Sequence, residues 1–225
     1  MAIAFDAFTS NTGGTGDYSF THTPVGTPRG VLVHVLMNGA NIGVSGVTYG
    51  GVAMVEASSS PASNLTGELG AAHCFFLGST VSSGAQTVSV DVTLGTEVSC
   101  AGCTTVTADQ DTSIVAQGTV VSDNQSDPAV TLGLGGITCF AMLGAWTGIG
   151  NLTMAATAGW TERFEFDFGN QNALVYTYDT IGSTDVLAKY LQAADDVAMH
   201  AIAIRENAVA GATEQQPADF VFIMA

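Results

Sequence analysis

A chain of 225 residues can bury a full core without metals or crosslinks, and one large domain is the default at this length. Its 27 glycines and 11% charged residues point to many short strands joined by tight turns rather than to helices. Only Arg29, Arg163, Lys189 and Arg205 oppose twenty acidic residues; the formal charge of −16 excludes direct nucleic-acid binding and disfavours an anionic membrane surface.

In chain order, residues 1–9 form a first short strand with Ile3, Phe5 and Phe8 apolar, and no secretory leader or membrane span is expected, since no apolar run reaches roughly 18 residues. Residues 17–23 alternate and put Tyr18 and Phe20 on one face. Residues 30–37, Gly-Val-Leu-Val-His-Val-Leu-Met, are almost continuously apolar, as in a central strand covered on both faces. Residues 47–54, Val-Thr-Tyr-Gly-Gly-Val-Ala-Met, predict a β-hairpin around a type I′ turn, because that turn needs positive φ at both central positions and glycine adopts it without strain.

Residues 58–70 are rich in Ser, Pro, Asn and Gly and are expected to form an exposed loop at a sandwich rim. The acceptor triplet at Asn64 in this loop, like the one at Asn151, is read as accidental. A strand at 71–77 follows, then one at 86–94 whose strict alternation turns Val88, Val90 and Val92 inward. Further strands are expected at 97–106, 113–121, 129–132, 137–146, 161–168, 172–179 and 197–204. Residues 185–194 are the one place where a short helix fits. Roughly a dozen strands at this spacing make an all-β, antiparallel β-sandwich over residues 1–205. Residues 206–225 form a C-terminal arm whose tip, Phe220, Val221, Phe222, Ile223 and Met224, is apolar enough to dock on its own domain or on a neighbouring subunit.

Chemistry-bearing motifs are weak. Cys100 and Cys103 have the spacing of a metal knuckle or redox pair but lack a second pair; with Cys74 and Cys139 they read as buried thiols, a disulfide or metal use being the alternatives. His34, His73 and His200 sit inside apolar strands and read as hydrogen-bonded core or interface histidines, with ligation or base catalysis the sharper alternative. No cofactor is called for, although Asp109, Asp111 and Asp123 or Asp127 offer oxygen ligands for calcium. Glu162, Glu165 and Asp167 invite a glycosidase reading, but strand alternation turns Glu165 and Asp167 to solvent. Tyr49, Trp146 and Trp160 suit a sugar-stacking platform or, more simply, core packing.

The apolar strand 30–37, the hairpin 47–54, the aromatic and alternating strands over 74–92, and the closing pair at 158–163 and 197–204 together resemble the concanavalin-like, jelly-roll β-sandwich proteins of tailed bacteriophages and bacterial surfaces. The likeness spans about residues 18–205, and the hairpin is its most specific element. It implies a non-enzymatic virion structural protein, a capsid decoration or cement subunit stabilising the head after assembly in the host cytoplasm. The implied partners are the major capsid protein or other virion proteins and further copies of the chain, with no nucleic acid and no membrane. The alternative it allows is a tail-fibre or surface module that binds a host glycan or receptor. No catalytic residue carries over.

Overall fold

The computed structural model describes residues 3–39, 43–64, 66, 69–79, 81–93, 98–134, 137–148, 155–156, 159–169, 171–181, 186–191 and 195–208. Among them are eighteen strands and no helix, and all strand pairings are antiparallel. The expected all-β class holds. The count exceeds the expected dozen because several edge pieces are only two or three residues long. The apolar tip at Phe220, Val221, Phe222, Ile223 and Met224 lies outside the described residues.

Two large sheets form the centre. The first runs β1 (Ala4–Thr15), β10 (Val98–Thr107), β3 (Pro28–Asn38), β8 (Gly70–Leu77) and β6 (Val55–Glu56), with β7 (Ala62–Asn64) also on β8. The second runs β11 (Thr112–Gln125), β18 (Asp195–Glu206), β13 (Cys139–Thr147), β16 (Asn172–Ile181) and β15 (Thr161–Asp167). Each carries a smaller sheet on its outer face. These are β2 (Tyr18–His22), β9 (Gln86–Val92), β4 (Val44–Tyr49) and β5 (Val52–Ala53) on the first, and β12 (Ala129–Leu132), β17 (Val186–Leu191) and β14 (Ala155–Ala156) on the second. The second half of the chain repeats the order of the first. Strands β11, β18, β13, β16 and β15 stand where β1, β10, β3, β8 and β6 stand, and β12, β17 and β14 where β2, β9 and β4 stand.

Side-chain alternation explains the layering. In β3, Leu32 and Leu36 face the second large sheet and meet Phe140, Met142 and Trp146 of β13 and Ile202 of β18. The intervening Val31, Val33, Val35 and Met37 face the small sheet and meet Tyr49, Val88 and Val90. A strand with apolar neighbours on both faces has no polar face to show, which is why residues 30–37 read as a continuous apolar run. β13 does the same on the other side, sending Ala141, Leu143 and Ala145 toward Val130 and Leu132 of β12. Arg163 of β15 ties the large sheets at one edge, its guanidinium 3.8 Å above the Phe5 ring of β1 while Nη2 donates to both Asp179 oxygens at 2.8 and 2.9 Å.

The hairpin forms as predicted. Tyr49 pairs with Val52 across Gly50 and Gly51, whose φ values are 57° and 80°. A Cβ at Gly51 would meet nothing within 4 Å, so only its backbone resists substitution. Gly51→Ala should cost about 1–2 kcal/mol by urea denaturation, while Gly14→Ala, equally open but without positive φ, should stay within about 0.5 kcal/mol. Equal effects would remove the turn from the account.

Two expectations fail. Residues 186–191 form β17, not a helix, because pairing with β12 on one side and β14 on the other satisfies the backbone as a strand. The described part of 58–70 is only partly solvent-facing: Ser58, Pro61 and Thr66 are exposed, but Ala62 packs into the central layer beside Ala57, β7 pairs with β8, and Asn64 is buried with Nδ2 donating to the Ser122 carbonyl at 3.1 Å. Small side chains let this stretch fold inward, where a larger residue would hold it out.

Candidate functional site

The central layer is mostly apolar, with isolated threonines such as Thr104 and Thr177, and its one cluster of metal-ligating side chains among the described residues lies around His34. His34 shares its strand face with Leu32 and Leu36, so β3 aims the imidazole into the core between the large sheets. Cys74 of β8 lies directly beside it in register. On the second sheet, His200 of β18 pairs with Gly144 of β13. A Cβ on Gly144 would overlap the His34 ring, so the glycine makes the room that lets an imidazole from one sheet reach the other. His34, Cys74 and His200 are all fully buried, and their ligand atoms lie within 4.8 Å of one another.

Hydrogen bonds fix the protons. The backbone N–H of Ser59 can only donate, and it meets Gln117 Oε1 at 3.3 Å, so the amide oxygen faces Ser59. Ser59 Oγ donates to the same oxygen at 3.0 Å and therefore accepts from His200 Nε2 at 2.9 Å. His200 Nδ1 is left as a bare lone pair and accepts from His34 Nε2 at 3.3 Å. Both rings are then neutral, and His34 Nδ1 has no hydrogen-bond partner. Burial favours the neutral form: desolvation lowers the His200 pKa to about 4, with Glu56 pulling up and His73 pushing down, and desolvation then the adjacent His200 drive His34 well below the imidazole range.

A second polar arm joins the first. Glu56 Oε1 accepts from His73 Nδ1 at 2.9 Å and from Ser60 Oγ at 2.8 Å, and Ser60 Oγ accepts from the Cys74 backbone N–H at 2.9 Å. Burial pushes the Glu56 carboxyl upward, but the bonds from His73 and Ser60, with the histidine charges, outweigh it and hold the group below its ordinary value. Burial raises the Cys74 thiol far above its ordinary value, and Glu56 adds to the shift.

This order of protons is not that of an activated serine. A catalytic serine donates to imidazole, whose other nitrogen donates to an orienting acceptor. Here Ser59 gives its proton to Gln117, and His200 receives one from His34. What the arrangement offers is three buried metal-ligating atoms, with the partly buried Ser59 and Gln117 holding the far side of one imidazole.

The other sequence candidates do not converge. Cys100 and Cys103 are three residues apart on β10, which puts them on opposite faces: Cys100 joins the central layer and Cys103 the layer against the small sheet. All four thiols are buried and unpaired with one another. Asp109 and Asp111 precede β11 whereas Asp123 and Asp127 lie at its far end, roughly 35–40 Å away along the strand, so no calcium cage forms from them. Asp111 instead pairs with Arg29 at 3.7 Å, and Asp123 accepts from Thr66 Oγ1. Glu162 accepts from Tyr176 Oη at 2.9 Å and Glu165 from Asn172 Nδ2 at 3.1 Å on an exposed edge strand. Tyr49, Trp146 and Trp160 belong to three different layers, so they make no common platform.

The sequence singles out the histidines and, among the four cysteines, Cys74; their partners Ser59 and Gln117 it does not. The only local signal was parity, which sets His34 among the inward-facing residues of β3; the meeting of residues 34 and 200 depends on how the two sheets stack. Compared with known proteins, the chain matches no family model, no curated protein and no solved structure.

Proposed function

We propose that the chain is a non-enzymatic structural subunit of a bacteriophage virion, a decoration or cement protein that stabilises the head. The observation that carries this reading is the strand order. β1-β10-β3-β8 facing β2-β9-β4-β5 follows a jelly-roll path, and the second half of the chain retraces it. Jelly rolls serve as viral capsid domains, as well as lectin domains and cupins, and here two such units are packed through their large sheets. The sealed central layer, whose serine is not set up for attack, favours a structural over a catalytic role. The charge of −16 supports an outward-facing surface that keeps particles apart.

The partners in this reading are the major capsid protein or other virion proteins and further copies of the chain, engaged through sheet edges and the terminal arm. The glycan-binding alternative has less support, since Tyr49 and Trp146 are buried. Quantitative mass spectrometry of purified particles tests the assignment: the chain should be present in numbers comparable with the capsomers, and particles lacking it should lose their heads at lower temperature. A few copies per particle would move it to the tail, and absence from particles would end the proposal.

A further inference from the structure

The buried cluster in the central layer does not use all of its bonding capacity, and its spare capacity has a direction. His34 Nε2 and His200 Nδ1 are 3.3 Å apart. Two imidazole nitrogens each about 2.0 Å from one ion, at tetrahedral to trigonal angles, are separated by about 3.3–3.6 Å. Cys74 Sγ lies within the same 4.8 Å group. We propose that His34 Nε2, His200 Nδ1 and Cys74 Sγ together bind one soft monovalent cation, copper(I), inside the protein.

Charge and coordination select the ion. One thiolate and two neutral imidazoles balance a single positive charge, so the three-ligand complex is itself neutral, while the nearby Glu56 carboxylate is already engaged by His73 and Ser60. Three ligands satisfy copper(I), whereas structural zinc takes four, and the three named here are the whole metal-ligating group found among the described residues. Thiolate and imidazole are also the soft and borderline donors that copper(I) prefers.

The hydrogen bonds fit the bound state. His200 Nδ1 already presents a lone pair, because its Nε2–H is held by Ser59, whose own proton is held by Gln117. A ligating imidazole anchored through its other nitrogen in this way is the usual support of a metal site. His34 must move its proton from Nε2 to Nδ1, which gives up the bond to His200 and leaves a buried N–H without an acceptor, a cost that the metal–nitrogen bonds must outweigh. The Cys74 thiol proton passes to water as the metal–sulfur bond forms, before the sheets close, so the metal's charge replaces the proton's and no electron is transferred. With the site enclosed, the ion enters while the sheets come together, which couples loading to folding.

The test is to refold the full chain anaerobically with one equivalent of copper(I) on a weak chelator, desalt it, and measure metal per chain by mass spectrometry and the ligand set by X-ray absorption. One copper with one sulfur and two nitrogens is expected, with a raised melting temperature. Cys74→Ser should lose the copper, Ser59→Ala should weaken binding about 10- to 100-fold, and Cys100→Ala should leave it unchanged. X-ray absorption on the unaltered chain decides the ligand set even where a variant fails to fold. No retained copper, two or more sulfurs in the shell, or preference for zinc when both ions are offered would overturn the assignment.

Discussion

Trp146→Ala should lower stability by roughly 3–5 kcal/mol and the melting temperature by about 6–20 °C. Trp146 is the largest fully buried side chain, and it lies in the layer that holds the two large sheets together. Its ring occupies the space above Gly70 of β8, where a Cβ would run into the indole. The indole Nε1 makes no hydrogen bond, so the loss is one of packing and not of polar bonding. Trp146→Phe, which keeps a ring, should therefore cost only about 1–2 kcal/mol. Gly70→Ala alone should destabilise by about 1–3 kcal/mol through overpacking, yet in the Trp146→Ala background its methyl enters the cavity and the two effects should fall short of additivity. Urea denaturation of the four proteins gives the cycle. A Trp146→Ala variant within 1 kcal/mol of the parent, or full additivity, would mean that the sheets do not pack through this face.

Elements whose signal is local were legible in the sequence. The hairpin could be read because two adjacent glycines meet the backbone demand of one turn, and 30–37 because two-sided burial erases the polar face. The separation of Cys100 from Cys103 was equally available, since three residues along a strand reverse the face; the spacing suggests a metal pair only if the strand is ignored. What could not be read is information held between strands far apart in the chain. Residues 186–191 become β17 only because β12 and β14 flank them. The repeated strand order lies in pairings, not in recurring residues, so it left no repeat to find. His34 and His200 meet across 166 positions, and Gly144, which makes their contact possible, looks from the sequence like one small residue in an apolar run.

The metal-free native state should lose stability steadily as pH falls from about 6.5 to 4. His200 and His22 both have folded pKa values lowered to about 4 from 6.5, in each case first by desolvation, with Asp6 partly offsetting the effect at His22. Between those values the unfolded chain binds protons that the folded chain refuses, so acid favours unfolding. The structure shows why protons are refused. Thr105 Oγ1 donates to Asp6 and so accepts from His22 Nε2 at 3.1 Å, leaving Nδ1 to accept from Thr9 Oγ1 at 3.0 Å. His200 Nδ1 is likewise filled by His34. A second proton on either ring displaces a satisfied bond. Each shift is worth about 3 kcal/mol, a large part of the usual 5–15 kcal/mol for a folded protein. Glu56 acts in the same direction lower down: its depressed carboxyl contributes stability above the unfolded value, lost as pH falls through the folded one. Relief of the −16 charge opposes both effects, but those are surface charges, screened over about 8 Å at 0.15 M salt. At that ionic strength the urea midpoint should fall with a slope of about three protons between pH 6.5 and 4, from His22, His200 and the equally depressed His34, and His22→Gln should remove one of them. A midpoint that stays level across this window would show that the buried imidazoles take up protons freely in the folded state.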